Sequence, residues 1–182
     1  MRPEPWSKRS SKKLADYRIF TVRSDTAVSP RTGQEHDFYV IESVNWVNVV
    51  PVTTDGKIVM VEQYRHGSDT IELEIPGGMI DPTDKDPVAA GLRELKEETG
   101  YEGSNAQLIG QVYPNPAVQN NICYTVLVEN CECRHQVCLD HTEDIAVNLV
   151  DRAEIPELVR TGRIGHSLVV ASLYYYELHS RR

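Results

Sequence analysis

Long apolar runs are missing from this sequence. No stretch of the 182 residues approaches the roughly 18 consecutive apolar residues of a membrane span. The basic N-terminus is not followed by the apolar segment that a secretory signal requires. We therefore expect a protein that has no membrane partner and works in the cytoplasm.

Cysteine is also scarce, and its spacing is not that of a structural zinc site. The four cysteines are Cys123, Cys131, Cys133 and Cys138. None belongs to a C-x-x-C pair. Reduced thiols in a cytosolic protein are the simpler interpretation. A soft-metal cluster that includes His135 and His141 is the alternative.

Positive charge is in deficit, with 19 Lys and Arg against 27 Asp and Glu and a formal net charge of −8. Such a balance argues against a broad phosphate-binding surface, so we expect no nucleic-acid partner. The distribution is uneven, because residues 1–13 carry a formal charge of +4 and the remainder about −12. We interpret residues 1–13 as a solvated basic arm.

Repeats, low-complexity tracts and long linkers are absent as well, so independent domains are not expected. A seam near residue 45 separates a small antiparallel β unit (14–45), with strands at 17–22 and 37–42, from the main domain (46–182). The strands predicted for the main domain are 46–53, 57–64, 71–75, 106–113, 121–129 and 145–150.

One helix is specified by its ends. Asp86 is suited to cap it, Pro87 to its first position and Gly100 to the left-handed residue after it, which predicts a helix over 87–99. Further helices are predicted at 154–160 and 167–179. Strands mixed with helices, without strict alternation, indicate an α/β or α+β sandwich with a mixed sheet.

The predicted helix carries three glutamates, Glu94, Glu97 and Glu98, at spacings that place all three carboxylates on one face. Because like charges at these spacings repel, a cation is expected there. Arg93 can neutralise or orient Glu97. Glu94 and Glu98 are then best placed to share a divalent ion, and oxygen ligands favour Mg²⁺ or Mn²⁺ over zinc.

A strand that runs into a glycine turn, residues 74–82, precedes the helix, and its bare backbone can approach a phosphate or a metal. Together these residues resemble the box of the Nudix hydrolase family, G-x5-E-x7-R-E-U-x-E-E-x-G-U, where U is apolar. The second half matches from Arg93 to Tyr101. The first half has one extra residue, and its glutamate is replaced by Asp84 or Lys85; we align Lys85 with it.

The resemblance implies a Nudix-type sandwich in which a mixed sheet lies between helices, with the small N-terminal β unit attached. It covers most of residues 37–179 and is closest to the ADP-ribose and nucleoside diphosphate sugar pyrophosphatases. It implies metal binding by Glu94, Glu98 and the Gly77 carbonyl. Glu97 joins them or is held by Arg93, and Glu74 lines the site.

The same subgroup implies three substrate-binding residues. Arg65 ends a Q-Y-R strand and would contact the diphosphate. Pro116 stands where the subgroup has a proline after the box, although an X-Pro turn between two strands is by itself the more common reason for such a proline. Trp46 would stack on the base, the alternative being a core position. Relatives form homodimers through their N-terminal strands, so we expect a homodimer.

The general base implied by the resemblance is a carboxylate on a later loop, here residues 139–145. Glu143 is favoured, with Asp140 and His141 as alternatives. Water would attack one phosphorus of the diphosphate, so ADP-ribose would give AMP and ribose 5-phosphate. A dinucleotide, an RNA 5′ end or a nucleoside triphosphate is the alternative substrate. A sensor that binds nucleotide sugars without cleaving them is the non-enzymatic alternative.

Overall fold

The structure, a computed structural model, describes residues 2–181 of the chain. It divides into two compact units. The first contains the residues up to Val44 together with Tyr113–Ile122, and the second contains Asn45–Val112 and the residues from Cys123 onward. The segment Tyr113–Ile122, which sequence analysis kept in the main domain, thus belongs to the N-terminal unit. No helix in the described part of the chain is long and apolar enough to cross a membrane.

The first unit is an antiparallel sheet of three strands in the order β1-β2-β3. They are β1 (Ser7–Asp16), β2 (Phe20–Val28) and β3 (Glu35–Ser43). The residues from Ser7 onward, interpreted above as part of a solvated arm, are solvent-exposed but form an edge strand paired with β2. The mostly polar and almost fully exposed sequence of this strand gives no period-two signal, and its lysines suit an unpaired sheet edge.

A second segment of the chain lies alongside the third strand of this unit. The backbone N–H of Ile41 donates to the carbonyl of Val118 at 2.8 Å. The N–H of Ser43 donates to the side-chain oxygen of Asn120 at 3.3 Å. These bonds attach residues 113–122 to the sheet although more than 70 residues separate the two segments in sequence.

Asp25 is the buried charge of this sheet, and we expect it to stabilise the unit at neutral pH. Burial raises the pKa of Asp25, but hydrogen bonds from Lys8, Ser11 and Arg23 outweigh that effect and lower it to about 2. The stabilisation is therefore present above the ordinary carboxyl pKa and is lost as the pH falls through about 2. Asp25→Asn should lower the free energy of unfolding by about 2 kcal/mol at pH 7.

Urea unfolding between pH 2 and pH 7 measures this effect. The difference in stability between the wild type and Asp25→Asn should shrink as the pH falls. Asp37→Asn, on the adjacent strand and exposed, serves as the matched control. Equal stability of Asp25→Asn and the wild type at pH 7 would contradict the argument.

The second unit is built on a mixed seven-stranded sheet. Five strands lie in the order β10-β5-β4-β9-β8, with β6 paired to β5 and β7 paired to β4. The pair β4–β9 is parallel and the other pairs are antiparallel. The strands are β4 (Trp46–Thr53), β5 (Lys57–Arg65), β6 (Thr70–Glu74), β7 (Gly77–Met79), β8 (Tyr101–Val112), β9 (Cys123–Cys133) and β10 (Ile145–Asp151).

Helices cover both faces of this sheet. On one face α1 (Pro87–Thr99) packs its Ala90 and Leu95 into a core with valines of β4 and β9. On the other face α2 (Ile155–Arg160) and α3 (Ser167–Ser180) enclose a second core. This is the predicted sandwich, with a mixed sheet between helices, and the fold class is confirmed.

Two differences from the predicted elements have clear causes. Residues Gly77–Met79 form a short strand rather than a glycine turn, because their backbone pairs antiparallel with Trp46–Asn48. Strand β8 begins at Tyr101 rather than at residue 106, immediately after Gly100 ends the helix. Its first residues alternate weakly because most of them are exposed, so the pattern of apolar residues starts late.

Candidate active site

Helix α1 supplies the acidic face of the site, and its ends are fixed by local chemistry. The Asp86 carboxylate accepts a hydrogen bond from the N–H of Ala89 at 2.9 Å. Gly100 has a φ of 73° and donates its N–H to the carbonyl of Lys96 at 2.9 Å. The helix therefore spans Pro87–Thr99 as predicted, and Glu94 and Glu98 are buried whereas Glu97 is partly exposed.

The strand β7 lies directly against that acidic face. The N–H of Gly77 donates to Glu98 Oε2 at 3.0 Å. A Cβ atom placed on Gly78 would lie 2.5 Å from Glu94 Oε1, and one on Gly77 would lie 2.3 Å from the carbonyl oxygen of Val47. Gly77 therefore requires glycine for its close approach to the backbone of β4, whereas a side chain at Gly78 would displace the Glu94 carboxylate.

Arg93 connects the carboxylates of the helix to the loop before it. Its guanidinium donates to both carboxylate oxygens of Asp84, at 3.1 and 2.9 Å. It also donates to Glu94 Oε1 at 3.0 Å and to Glu97 Oε2 at 2.9 Å. Asp84 thus provides the loop carboxylate that Arg93 contacts. Lys85, which the sequence alignment places at the position of the motif's glutamate, is exposed.

The pKa values of the two buried glutamates are raised above the ordinary carboxyl value. Burial raises the pKa of Glu98, the N–H of Gly77 lowers it, and the charges of Glu94 and Glu143 raise it again, so that the pKa is about 8. Burial also raises the pKa of Glu94 despite the adjacent Arg93. Within residues 2–181, Glu98 forms no ion pair with Lys or Arg. A hard divalent cation would stabilise the charged form of these buried carboxylates, whose oxygens are the ligands that such an ion prefers.

The arrangement of these side chains bears on how a cation would be bound. As they stand, no three His, Cys, Asp or Glu side chains of the described residues converge as a metal-binding group. Glu94 and Glu97 both point their oxygens at Arg93. Binding of a cation would therefore require these carboxylates to exchange part of their contact with Arg93 for the ion. The type of donor fits, since all of the candidates are oxygens.

The soft-metal alternative finds no support in the positions of the cysteines. Cys123 and Cys131 are buried, and burial raises the pKa of each thiol to about 12. Both therefore stay protonated at neutral pH and are poor metal ligands. His135 contacts Glu102 instead, with its Nε2 atom 2.7 Å from Glu102 Oε2. Cys123 and Cys131 therefore lie in the buried core, whereas His135 is partly exposed.

A cavity of about 640 Å³ opens beside the glycine strand and unites several predicted residues. Trp46, Arg65, Glu74 and Gly77 all line it. Its other lining residues include Asn48, Glu72, Ile75, Met79 and the segment 165–168 at the start of α3. The residues predicted to bind the base and the diphosphate therefore line one cavity together with Gly77, whereas Glu94, Glu97 and Glu98 are not among its lining residues.

Arg65 and Glu74 form the charged pair of this cavity. Arg65 Nε and Nη2 donate to the two oxygens of Glu74, at 2.9 and 2.7 Å. Glu74 is 2% exposed, and burial by itself raises its pKa, but the hydrogen bonds from Arg65 and the neighbouring His166 ring lower it to about 2. The carboxylate thus stays charged and holds the guanidinium in a fixed orientation.

The loop before β10 places Glu143 near the acidic helix. Its charge raises the pKa of both Glu94 and Glu98. Its carboxylate accepts the backbone N–H of Asp140 at 3.0 Å, which closes a tight turn. Asp140 and His141 are exposed on that turn. The charge of Glu143 therefore acts on both buried glutamates, and the choice among the three general-base alternatives stays a prediction.

Two residues that line the cavity were not predicted from the sequence, and one predicted substrate-binding residue belongs to the first unit. His166 and Glu72 line the cavity, although each looks like an ordinary polar residue at an element boundary. A polar side chain directly before the predicted helix 167–179 was the available signal. Pro116 is exposed and belongs to the first unit, so its role in specificity stays a prediction.

Comparison with known proteins adds sequence relatives over most of the chain. The NUDIX domain family model matches residues 42–172. An ADP-ribose pyrophosphatase of Bacillus subtilis is 29% identical over 140 residues, covering 76% of this chain and 75% of that protein. An ADP-ribose pyrophosphatase of Mycobacterium tuberculosis is 28% identical over 168 residues, covering 90% and 79%. A methanol dehydrogenase activator of Bacillus methanolicus is 28% identical over 162 residues, covering 88% and 86%.

A solved structure shares the fold over the whole chain. The crystal structure of an ADP compounds hydrolase matches with a TM-score of 0.86, covering 100% of this chain and 97% of that one, at 19% sequence identity. At that identity the likeness establishes the architecture. The acidic helix, the glycine strand and the cavity therefore lie within an architecture already known in solved proteins.

Proposed function

Because the chain belongs to the Nudix family, we propose that it hydrolyses the pyrophosphate bond of nucleoside diphosphate sugars, with ADP-ribose as the preferred substrate. The products would be AMP and ribose 5-phosphate. One observation carries the proposal: the fixed Arg65–Glu74 pair shares a cavity with Gly77, whose N–H contacts Glu98 on the acidic helix. The relatives named ADP-ribose pyrophosphatase support the choice of substrate.

Nudix hydrolases of the ADP-ribose type need a divalent metal ion. We assign Mg²⁺ here, with Mn²⁺ able to replace it, because the candidate ligands are all oxygens. Glu94, Glu98 and the backbone carbonyl of Gly77 would hold the ion, and Glu97 would join them or stay with Arg93. When bound, the cation neutralises charge on the diphosphate and on the leaving oxygen.

Side chains of the protein bind the substrate, accept the proton from water and position the metal-binding carboxylates. Arg65, oriented by Glu74, donates to the diphosphate. Trp46 is partly exposed in the cavity and stacks on the base. Glu143 accepts the proton of the water that attacks phosphorus, and Arg93 keeps the helix carboxylates in position. Pro116 remains a proposed specificity residue.

A substrate panel tests this function. We expect kcat/KM to be highest for ADP-ribose when Mg²⁺ is supplied, with diadenosine diphosphate and ATP well below it. Equal or faster hydrolysis of ATP or of the dinucleotide would move the protein to another Nudix substrate class. Tight binding of ADP-ribose without turnover would identify a sensor instead of an enzyme.

We also propose that the protein is a homodimer. Trp6, His36 and Phe38 form an aromatic cluster on the first unit, with centroids 5.1 Å apart for Trp6–Phe38 and 5.8 Å apart for Trp6–His36. Trp6 is 46% exposed and Phe38 43% exposed, which is typical of a surface that a partner covers. Sedimentation equilibrium of the full chain measures the oligomeric state.

A cytoplasmic location is the last part of the proposal. All four cysteines are unpaired in the structure, and two of them, Cys133 and Cys138, are exposed. Exposed unpaired thiols suit a reducing compartment.

A further inference from the structure

One wall of the cavity is built by Glu72 on β6 and by the residues at the start of α3. A Cβ atom placed on Gly165 would lie 3.3 Å from Glu72 Oε2, so the glutamate carboxylate lies directly over this glycine. The hydroxyl of Thr70 donates to the other carboxylate oxygen of Glu72 at 2.7 Å. Glu72 is thereby held at the cavity surface with an oxygen next to the α3 segment.

The chain segment before α3 is fixed to the sheet. Arg163 Nη1 donates to the carbonyl of Ile71 at 3.2 Å, and the same guanidinium forms an ion pair with Glu62. The N–H of Ile164 donates to the carbonyl of Leu158 at 3.0 Å, and Ile164 is buried. The wall that carries His166 is therefore held in a defined position next to β6.

One ring nitrogen of His166 lies beside a buried carboxylate, at ion-pair distance and without the geometry of a hydrogen bond. Its buried Nδ1 atom lies 3.3 Å from Glu74 Oε2, the same carboxylate that holds Arg65. A neighbouring carboxylate favours the tautomer with the proton on Nδ1. The other ring nitrogen, Nε2, then becomes a hydrogen-bond acceptor for a molecule in the cavity.

The cavity therefore has walls of different chemistry. Trp46 and Met79, on the paired strands β4 and β7, provide an apolar surface. Arg65 provides positive charge and hydrogen-bond donors. Glu72 and His166 provide acceptors, one of them an anion, which attract hydroxyl donors and repel a further phosphate.

We infer that Glu72 and His166 bind the hydroxyl groups of the sugar on the distal phosphate, and so select an uncharged sugar as the second half of the substrate. This inference rests on the proposed function, because it concerns the sugar of a nucleoside diphosphate sugar. The base lies on the apolar surface formed by Trp46 and Met79, and the diphosphate lies on Arg65. A triphosphate is rejected because its third phosphate would face the Glu72 carboxylate.

Two substrates that differ in the sugar alone test the inference. ADP-ribose is compared with the β-methyl ester of ADP, which keeps the same diphosphate diester and lacks the sugar. We expect Glu72→Gln and His166→Ala each to lower kcat/KM for ADP-ribose about tenfold, chiefly through KM, as loss of a single hydrogen bond does. Hydrolysis of the methyl ester should not change in Glu72→Gln, and in His166→Ala it should fall less than hydrolysis of ADP-ribose, because His166 also lies beside the Glu74 carboxylate that orients Arg65.

Matched controls come from residues outside the cavity. Glu157→Gln, on the exposed face of α2, and His179→Ala, near the end of α3, should leave both substrates unaffected. Thermal unfolding of all four variants shows whether each is folded at the assay temperature.

Each other outcome overturns the sugar site. If Glu72→Gln and His166→Ala slow both substrates equally, the two residues have a structural role. If they slow neither substrate, no sugar contact exists. In both cases the wild type still cleaves ADP-ribose and the proposed function survives. If the wild type cleaves neither substrate, the proposed function itself fails and the sugar site fails with it.

Discussion

Glu98→Gln should lower kcat for ADP-ribose hydrolysis about a hundredfold or more while the protein remains folded. The amide keeps an oxygen that can accept the N–H of Gly77, now 3.0 Å from Glu98 Oε2, so the contact between helix and strand survives. The negative charge that would hold the cation is lost. A bound cation contributes several kcal/mol to transition-state stabilisation, and each 1.36 kcal/mol is a factor of ten in rate.

The same variant, although less active, should be more stable than the wild type at pH 8 when no metal is present. Since burial raises the pKa of Glu98 to about 8, the folded wild type holds this proton more tightly than the unfolded chain. The wild type should therefore lose stability as the pH rises from the ordinary carboxyl range to about 8. Glu98→Gln lacks this loss and should unfold at higher urea concentration at pH 8.

Glu157→Gln is the control for both measurements, because that carboxylate is exposed on α2 and pairs with Arg160. Steady-state kinetics with Mg²⁺ and urea unfolding in a chelator provide the two readouts. A Glu98→Gln enzyme with the wild-type kcat would show that the acidic helix does not hold the catalytic cation.

Glu143→Gln should lower kcat by about 10² to 10⁴, the usual contribution of a general base, with little change in KM. The structural reason is electrostatic proximity: the charge of Glu143 acts on both buried glutamates of α1. The loop turn should survive, since a glutamine oxygen can still accept the N–H of Asp140.

Parallel variants of the two alternatives make this prediction selective. Asp140→Asn and His141→Gln should each retain far more activity than Glu143→Gln, because both side chains are exposed on the turn. A larger loss of kcat in either of them would transfer the role of the base to that residue. Wild-type activity in all three variants would place the base outside this loop.

Local signals explain why the sequence predicts the acidic helix so closely. Asp86, Pro87 and Gly100 act within a few residues of the helix ends, and the structure begins and ends α1 where they predict. The spacing of Glu94, Glu97 and Glu98 likewise depends on helical geometry alone. Helix α3 likewise lies where a helix over 167–179 is predicted, and its Leu168, Val169 and Leu173 are buried.

The features that escaped sequence analysis depend on contacts distant in sequence. Strand β1 is an edge strand with few apolar residues, so only its pairing with β2 defines it. The contact of His166 with Glu74 joins residues 92 positions apart. The contact of Arg93 with Asp84 depends on loop geometry, and the alignment of Lys85 with the glutamate of the motif stays a prediction.

Product analysis tests the central claim most directly. The protein is incubated with ADP-ribose and Mg²⁺, and the products are separated by anion-exchange chromatography. We predict equal amounts of AMP and ribose 5-phosphate, no reaction in excess chelator and recovery when Mg²⁺ or Mn²⁺ is restored. Unreacted ADP-ribose at saturating metal, or the appearance of ADP and free ribose, would contradict the assignment of a pyrophosphate-cleaving site.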